Sequence, residues 1–284
     1  MASSLYVGEE VKAYYIEEAS YGVTPSGTGQ PAMLWIGVIQ EVEPALDPRN
    51  IIIRGIGSRN VKAIRRGLRH VDLKLSYIPQ DWDFLPYARN DKSLSIEVFY
   101  EKASGIISLN HKGCKIDRYK IDGSIEEPVK ISVDLIGQDV AVATAKIGAS
   151  YEAEPTVNPI TGSDCVIQKG GLEITRFSDF SFEIINNLKR QPVIRSTTPY
   201  LIKGLPIRHE TLQGSIRADF ESKAELDDIL GDTAFSLAFI IGPAGNQKTF
   251  TFSDCKWRSS RLPTKIEDTV AQLLEWEAKT LTIS

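Results

Sequence analysis

The chain has 284 residues, 42% hydrophobic and 25% charged, with three cysteines, which excludes a disordered polypeptide, a disulfide scaffold and a fibrous repeat. Its formal charge of −4 argues against a general nucleic-acid binder. No apolar run reaches the eighteen or so residues of a membrane helix, and MASSLYVGEEVKAYY has acids where a secretion signal needs an apolar stretch, so no membrane insertion is expected.

Residues 1–33 read as an N-terminal arm, mixing aromatic pairs with Gly, Pro and Ser without a lasting period of 2 or 3.6. From Leu34, LWIGVIQEVEPAL alternates like a strand and NIIIRGIG follows as another. A basic loop comes next: Arg54, Arg59, Lys62, Arg65, Arg66 and Arg69 lie before His70 with no acid among them. LRHVDLKLSYI predicts a half-buried strand, and Asp81 to Arg89 a short helix capped by Asp81 and limited by Pro86. SLSIEVFYE and GIISLNHKG form a hairpin, after which KIDRYKI and PVKISVDLIG supply two more strands. Residues 148–165, rich in Pro and Gly, read as a linker.

Beyond it GGLEITRFSDFSFEI alternates again, and a second acid-free stretch carries Arg195, Lys203 and Arg208. Removing the nine positive charges of the two basic stretches leaves the rest of the chain at −13, so two cationic loops are expected on an acidic body. A second helix is predicted with Ser222 and Glu225 as a capping box, Leu226, Ile229 and Leu230 on one face, and Gly231 as its stop. SLAFIIG and QKTFTFSDC form a hairpin around GPAGN, and VAQLLEWEAKTLTIS reads as one final strand that leaves no tail.

The two runs state one pattern twice. A shift of 141 residues takes Cys114 to Cys255, Lys115 to Lys256, Ile116 to Trp257, Leu85 to Leu226, Ile96 to Leu237 and Leu109 to Phe250, keeping the apolar positions in phase. The chain therefore reads as a tandem duplication: an arm (1–33), a first β domain (34–147), a linker (148–165) and a second β domain (166–284). Fold class follows: mainly β, two tandem similar antiparallel β-sandwich or barrel domains, each with one short flanking helix.

Chemistry finds little foothold. His70, His111 and His209 stand in no metal or nucleophile spacing, no phosphate-binding glycine loop occurs, and Asp81 and Asp83 suit a helix start better than a catalytic pair. Cys114 and Cys255 read as buried small hydrophobes, with Lys115 and Lys256 the only neighbours able to hold a thiolate. The basic loops lack interleaved aromatics, Tyr200 standing alone, so an acidic face of an identical subunit suits them better than nucleic acid. No catalysis, cofactor or metal is expected.

Tyr21, Gly22, Thr24 and Pro25 after a pair of acids, then a strand, the Arg-rich loop IRGIGSRNVKAIRRGLRHV, a strand, a short helix and a hairpin, resemble the tail tube proteins of long-tailed phages and related viruses. The resemblance implies a virion protein, assembled in the host cytoplasm, whose rings stack into the tail tube used for DNA ejection. It implies that Arg54 to Arg69, and Arg195 to Arg208 in the second copy, are inter-ring contact loops. Tail terminator and tail-tip proteins are the implied partners, with the tape measure protein and DNA transiently in the lumen. Most members have one domain, so the duplication points to a homotrimeric ring of six domains, a hexameric ring being the alternative. A channel wall with few Lys and Arg is expected, because cations would hold phosphates. Two other readings are a tail-tip hub or distal tail adaptor, and a two-domain β-sandwich binding carbohydrate through Trp35 or Trp82.

Overall fold

The computed structural model describes residues 8, 11–27, 29–102, 105–194, 197–264 and 270–284. The first half contains β1 (Val11–Glu17), β2 (Leu34–Trp35), β3 (Val38–Asp47), β4 (Ile51–Ile53), β5 (Ala63–Arg65), β6 (His70–Ile78), β7 (Leu94–Lys102), β8 (Gly105–Ser124), β9 (Lys130–Gly137) and β10 (Asp139–Ala143). The second contains β11 (Cys165–Lys169), β12 (Leu172–Glu173), β13 (Phe177–Ile185), β14 (Thr211–Asp219), the helix α1 (Ala224–Leu230), β15 (Phe235–Ile241), β16 (Lys248–Arg261), β17 (Ala271–Ala278) and β18 (Thr280–Ile283). Every pairing between named strands is antiparallel, and the chain is mainly β.

Two long strands organise the sheets. β8 pairs through its first part with β7 and β10, and through its second part with β9. β16 does the same with β15 and β18, then with β17. A kink lets each strand serve two layers. In β8 the register shifts between Leu94 and Ile96 of its partner, and Gly113 takes φ +63°. In β16 it shifts between Phe235 and Leu237, and Asp254 takes φ +52°. An extra residue with a left-handed backbone is how a β-bulge bends a strand. At Gly113 a side chain is also excluded, because a Cβ would lie 2.8 Å from Gln138 Cβ.

The pairings recur at one spacing. Leu94 faces Cys114 and Phe235 faces Cys255; Ile116 faces Leu135 and Trp257 faces Trp276; Leu109 faces Val142 and Phe250 faces Ile283. Each second pair lies 141 residues after the first. Surface ion pairs recur too, Lys115–Asp91 and Lys256–Asp232, both at 2.6 Å. These lysines serve as struts to an aspartate, with Cys114 and Cys255 buried and unpaired beneath them.

The second layer of each half joins the other edge to edge. Hydrogen-bonded neighbours run β3–β6–β9–β8–β13–β14–β17–β16, one sheet of eight strands whose middle seam is β8 against β13. Alternate residues of the seam, Tyr119, Ile121, Phe180, Phe182 and Ile184, point into a core that runs through both halves. There Phe182 packs against Phe239, Phe250 and Phe252 with ring centroids 4.9–5.2 Å apart. Trp82 crosses from the first half to Phe250, its indole N–H donating to Asn246 O at 3.1 Å.

Several local expectations need correction. Val11–Glu17, read as part of an arm, is a strand paired along its whole length with β7; residues 1–7 of that arm lie outside the described residues. Asp81–Arg89 is not an α-helix: only Leu85–Ala88 forms a 3-10 turn, with Pro86 in it, and Asp81 accepts from Asp83 N. The capping box at Ser222 is absent because Glu225 is buried in a 2.5 Å bond from Arg176, leaving Lys223 at the N-cap. Leu230 points to solvent and leaves the apolar face of α1. VAQLLEWEAKTLTIS divides into β17 and β18, which pair with different parts of β16.

Candidate assembly surfaces

The motif Tyr21-Gly22-x-Thr24-Pro25 owes its residue types to a buried clasp. Glu18, 7% exposed, accepts hydrogen bonds from Gly22 N (2.7 Å), Ser95 Oγ (2.6 Å) and Gly113 N (2.8 Å). Thr24 Oγ1 lies 2.8 Å from Ser95 Oγ and accepts from Asn110 Nδ2 at 2.9 Å. Gly22 has φ +75°, and its missing side chain makes room for the Gln138 amide. The motif thus ties the start of the chain to the kink of β8 and is structural.

The basic loop is a β-hairpin, β4 against β5, standing off the end of β3 and β6. Arg54, Arg59, Lys62, Arg65 and Arg66 are exposed on it, and among the described residues Arg54, Arg59, Lys62 and Arg65 have no ion-pair partner. Arg69, at its base, is held by an ion pair with Asp139 and lies 4.8 Å from the centre of the Tyr200 ring. Charge is half of the surface. Ile51, Ile52, Ile53, Ile56, Val61 and Ile64 are all exposed on the same hairpin, an apolar patch that sequence reading overlooked in favour of the arginines. The signal was present in the run Ile51-Ile52-Ile53, which a solvated loop does not need.

The second basic stretch behaves differently. Leu188, Ile202 and Leu205 pack on Ile136 of β9 in a small apolar cluster, Arg190 pairs with Asp72 of β6, and Arg66 sits 5.1 Å over Tyr200. Instead of projecting, the stretch lies on the first half of its own chain. Lys203 and Arg208 are exposed, Arg208 donating to Asn187 O, and Arg195 lies outside the described residues.

One face of the eight-stranded sheet is polar from edge to edge. Lys74–Glu43 (3.2 Å), Arg118–Glu183 (3.4 Å), Lys120–Asp122 (2.7 Å), Arg217–Asp179 (3.9 Å) and Arg261–Glu275 (3.3 Å) alternate across it. A groove of about 530 Å³ crosses β8, β13, β14 and β17, lined by Asp122, Asp179, Arg217 and Glu275 together with Phe180, Ile216 and Leu274. Exposed pairs of this kind add little stability. Their effect is to cancel charge locally.

Enzyme-like features are weak. Burial pushes the thiol of Cys165 up to about 12 and that of Cys255 up to about 11, and holds that of Cys114 well above the usual thiol range, so none is a ready nucleophile. Among the described residues no group of three or more His, Cys, Asp or Glu could hold a metal. Trp82 and Trp35 are only 7% and 9% exposed, so neither forms the open platform a sugar would need. No helix among the described residues is long and apolar enough to cross a membrane.

A family model described as phage tail tube protein matches residues 8–278. The chain belongs to the phage tail tube protein family. No curated protein matches it. As a tail tube protein it is a structural component of the virion tail that assembles into stacked oligomers.

Proposed function

We propose that this tail tube protein is a tandem duplication, and that three chains close a ring of six four-stranded units around a channel through which DNA passes. The observation carrying this reading is the eight-stranded sheet, in which two units with pair registers 141 residues apart already sit side by side. Closure of the ring removes the unpaired edges that a lone sheet leaves. The polar face of the sheet lines the channel. Its wall then carries Arg118, Lys120, Arg217 and Arg261, each ion-paired with a carboxylate, against the expectation of few Lys and Arg. Neutralisation replaces exclusion: a cation already paired with a carboxylate has little counterion to release and so holds a passing phosphate weakly.

Stacking is assigned to the β4–β5 hairpin, whose apolar patch and arginines dock on the next ring, with the acidic remainder of the chain as its electrostatic partner. Cryo-electron microscopy of the assembled particle tests this. Three chains per ring with the hairpin bridging rings is the expected image. Six chains per ring, or hairpins directed away from the neighbouring ring, would refute it.

A further inference from the structure

The seam inside the chain is a template for a joint between chains. β8 and β13 pair from Ser124 opposite Asp179 to Arg118 opposite Ile185. Counterparts of both strands occur at the two open edges of the same sheet. β16 pairs with β17 in the register in which β8 pairs with β9, offset by 141. β3 pairs with β6 in the register in which β13 pairs with β14: Val42 faces Leu75 as Phe180 faces Ile216, and the bulge at Ile39/Glu41 matches that at Phe177/Asp179. Beyond β3, and beyond the end of β16, no strand of the described residues is paired.

From this we infer that the end of β16 of one chain pairs antiparallel with β3 of a second copy, in the register of β8 with β13. This rests on the ring reading above. The transferred register sets Ser259 opposite Asp47, Ser260 opposite Leu46, Arg261 opposite Ala45, Leu262 opposite Pro44 and Thr264 opposite Val42.

Three independent features fit that register. First, Leu46 and Leu262 are 53% and 37% exposed in the single chain, whereas Ile184 and Ile121, which hold the same positions in the internal seam, are fully buried. Second, the charges match in sense. Arg118 on β8 meets Glu183 on β13, while Arg261 on β16, opposite Ala45, would stand diagonal to Glu43 and Asp47 on β3. Third, β8 continues as strand to Ser124 where β13 flanks it, but β16 stops at Arg261, where among the described residues no strand lies on the side away from β17.

Pro44 is compatible with the joint. Hydrogen bonds from Asn186 N to Asp117 O and from Ile125 N to Ser178 O, at the two ends of the seam, place Phe182 in a hydrogen-bonded pair with Ile121. Its counterpart Pro44 lacks an N–H, so one ladder bond is lost while Pro44 O still accepts from Leu262 N. That proline points its nitrogen away from β6, the orientation an edge strand tolerates.

Disulfide trapping tests the register, since the native thiols are buried. Ala45 and Arg261 form a non-hydrogen-bonded pair, where opposed side chains come closest. The full-length A45C/R261C protein, assembled and mildly oxidised, is expected to give covalently closed multimers on a non-reducing gel. The same is expected of D47C/S259C, while the offset pair A45C/S259C should bond at least tenfold more slowly. Hydrogen exchange of unmutated protein adds a readout free of substitutions: the amides of Leu46, Leu262 and Thr264 should gain protection on assembly. Rings visible by microscopy with neither matched pair bonded, with the offset pair bonding as fast, or with those amides unprotected would overturn the register and leave the ring standing. Absence of rings and tubes from the unmutated protein would overturn the ring, and the joint with it.

Discussion

Replacement of His111 by Phe should flatten the stability of the protein between pH 4 and pH 6.5. His111 lies in β8 between Ile96 of β7 and Val140 of β10, 1% exposed, with Nδ1 lacking a hydrogen-bond partner. Burial lowers its pKa from 6.5 to about 4, partly offset by backbone hydrogen bonds at Ile96 and Leu109. In the unfolded chain the same imidazole protonates near 6.5, so between these values the unfolded state holds the extra proton and stability falls as pH falls. A separation of about 2.5 units at about 1.4 kcal/mol per unit gives a loss of about 3 kcal/mol from pH 7 to pH 4, about 2 kcal/mol of it by pH 5. The equivalent position in the second half is Phe252, buried and packed against Trp276 at 4.6 Å, so Phe suits the environment. Urea unfolding followed by tryptophan fluorescence from pH 4 to pH 7 measures the effect. Carboxylates titrate identically in both proteins, so the difference between the two curves isolates His111. Parallel curves for wild type and H111F would show that the imidazole is not desolvated as described.

Phe182→Ala should cost about 3–5 kcal/mol, because it removes a buried ring from contact with three other phenylalanines at the seam; a midpoint shift in urea below that of a surface control would contradict it. Glu18→Ala should destabilise by about 2–4 kcal/mol by orphaning the buried N–H groups of Gly22 and Gly113, and amide exchange at those two sites should accelerate first. R65E/R66E should leave the fold intact by circular dichroism and abolish stacking into tubes; normal tubes would remove the hairpin from the inter-ring joint. Cys114, Cys165 and Cys255 should resist a thiol reagent at pH 8 in the native protein and react together after unfolding; a fast native reaction at any of them would contradict the raised pKa values.

The sequence alone determined what depends on local period and composition. Strand alternation in HVDLKLSYI and SLSIEVFYE, the turns between hairpin strands, and the 141-residue phase are one-dimensional signals, and Tyr21-Gly22-x-Thr24-Pro25 marked the family because its residue types are fixed by a turn. Tertiary structure decided what depends on competition between partners. Glu225 left its helix cap because a buried carboxylate gains more from Arg176 than from a backbone N–H. Val11–Glu17 became a strand only because β7 offers an edge, and four consecutive residues there are buried, Ala13 to Ile16, which erases the alternation that would have announced it. The second basic stretch lies flat because Ile136 and Tyr21 give its leucines a surface to cover, whereas Ile51 to Ile53 find none within the chain. The union of the two halves along β8 and β13 joins residues some sixty positions apart by backbone hydrogen bonds, a link that no sequence period encodes because every strand offers the same donors and acceptors.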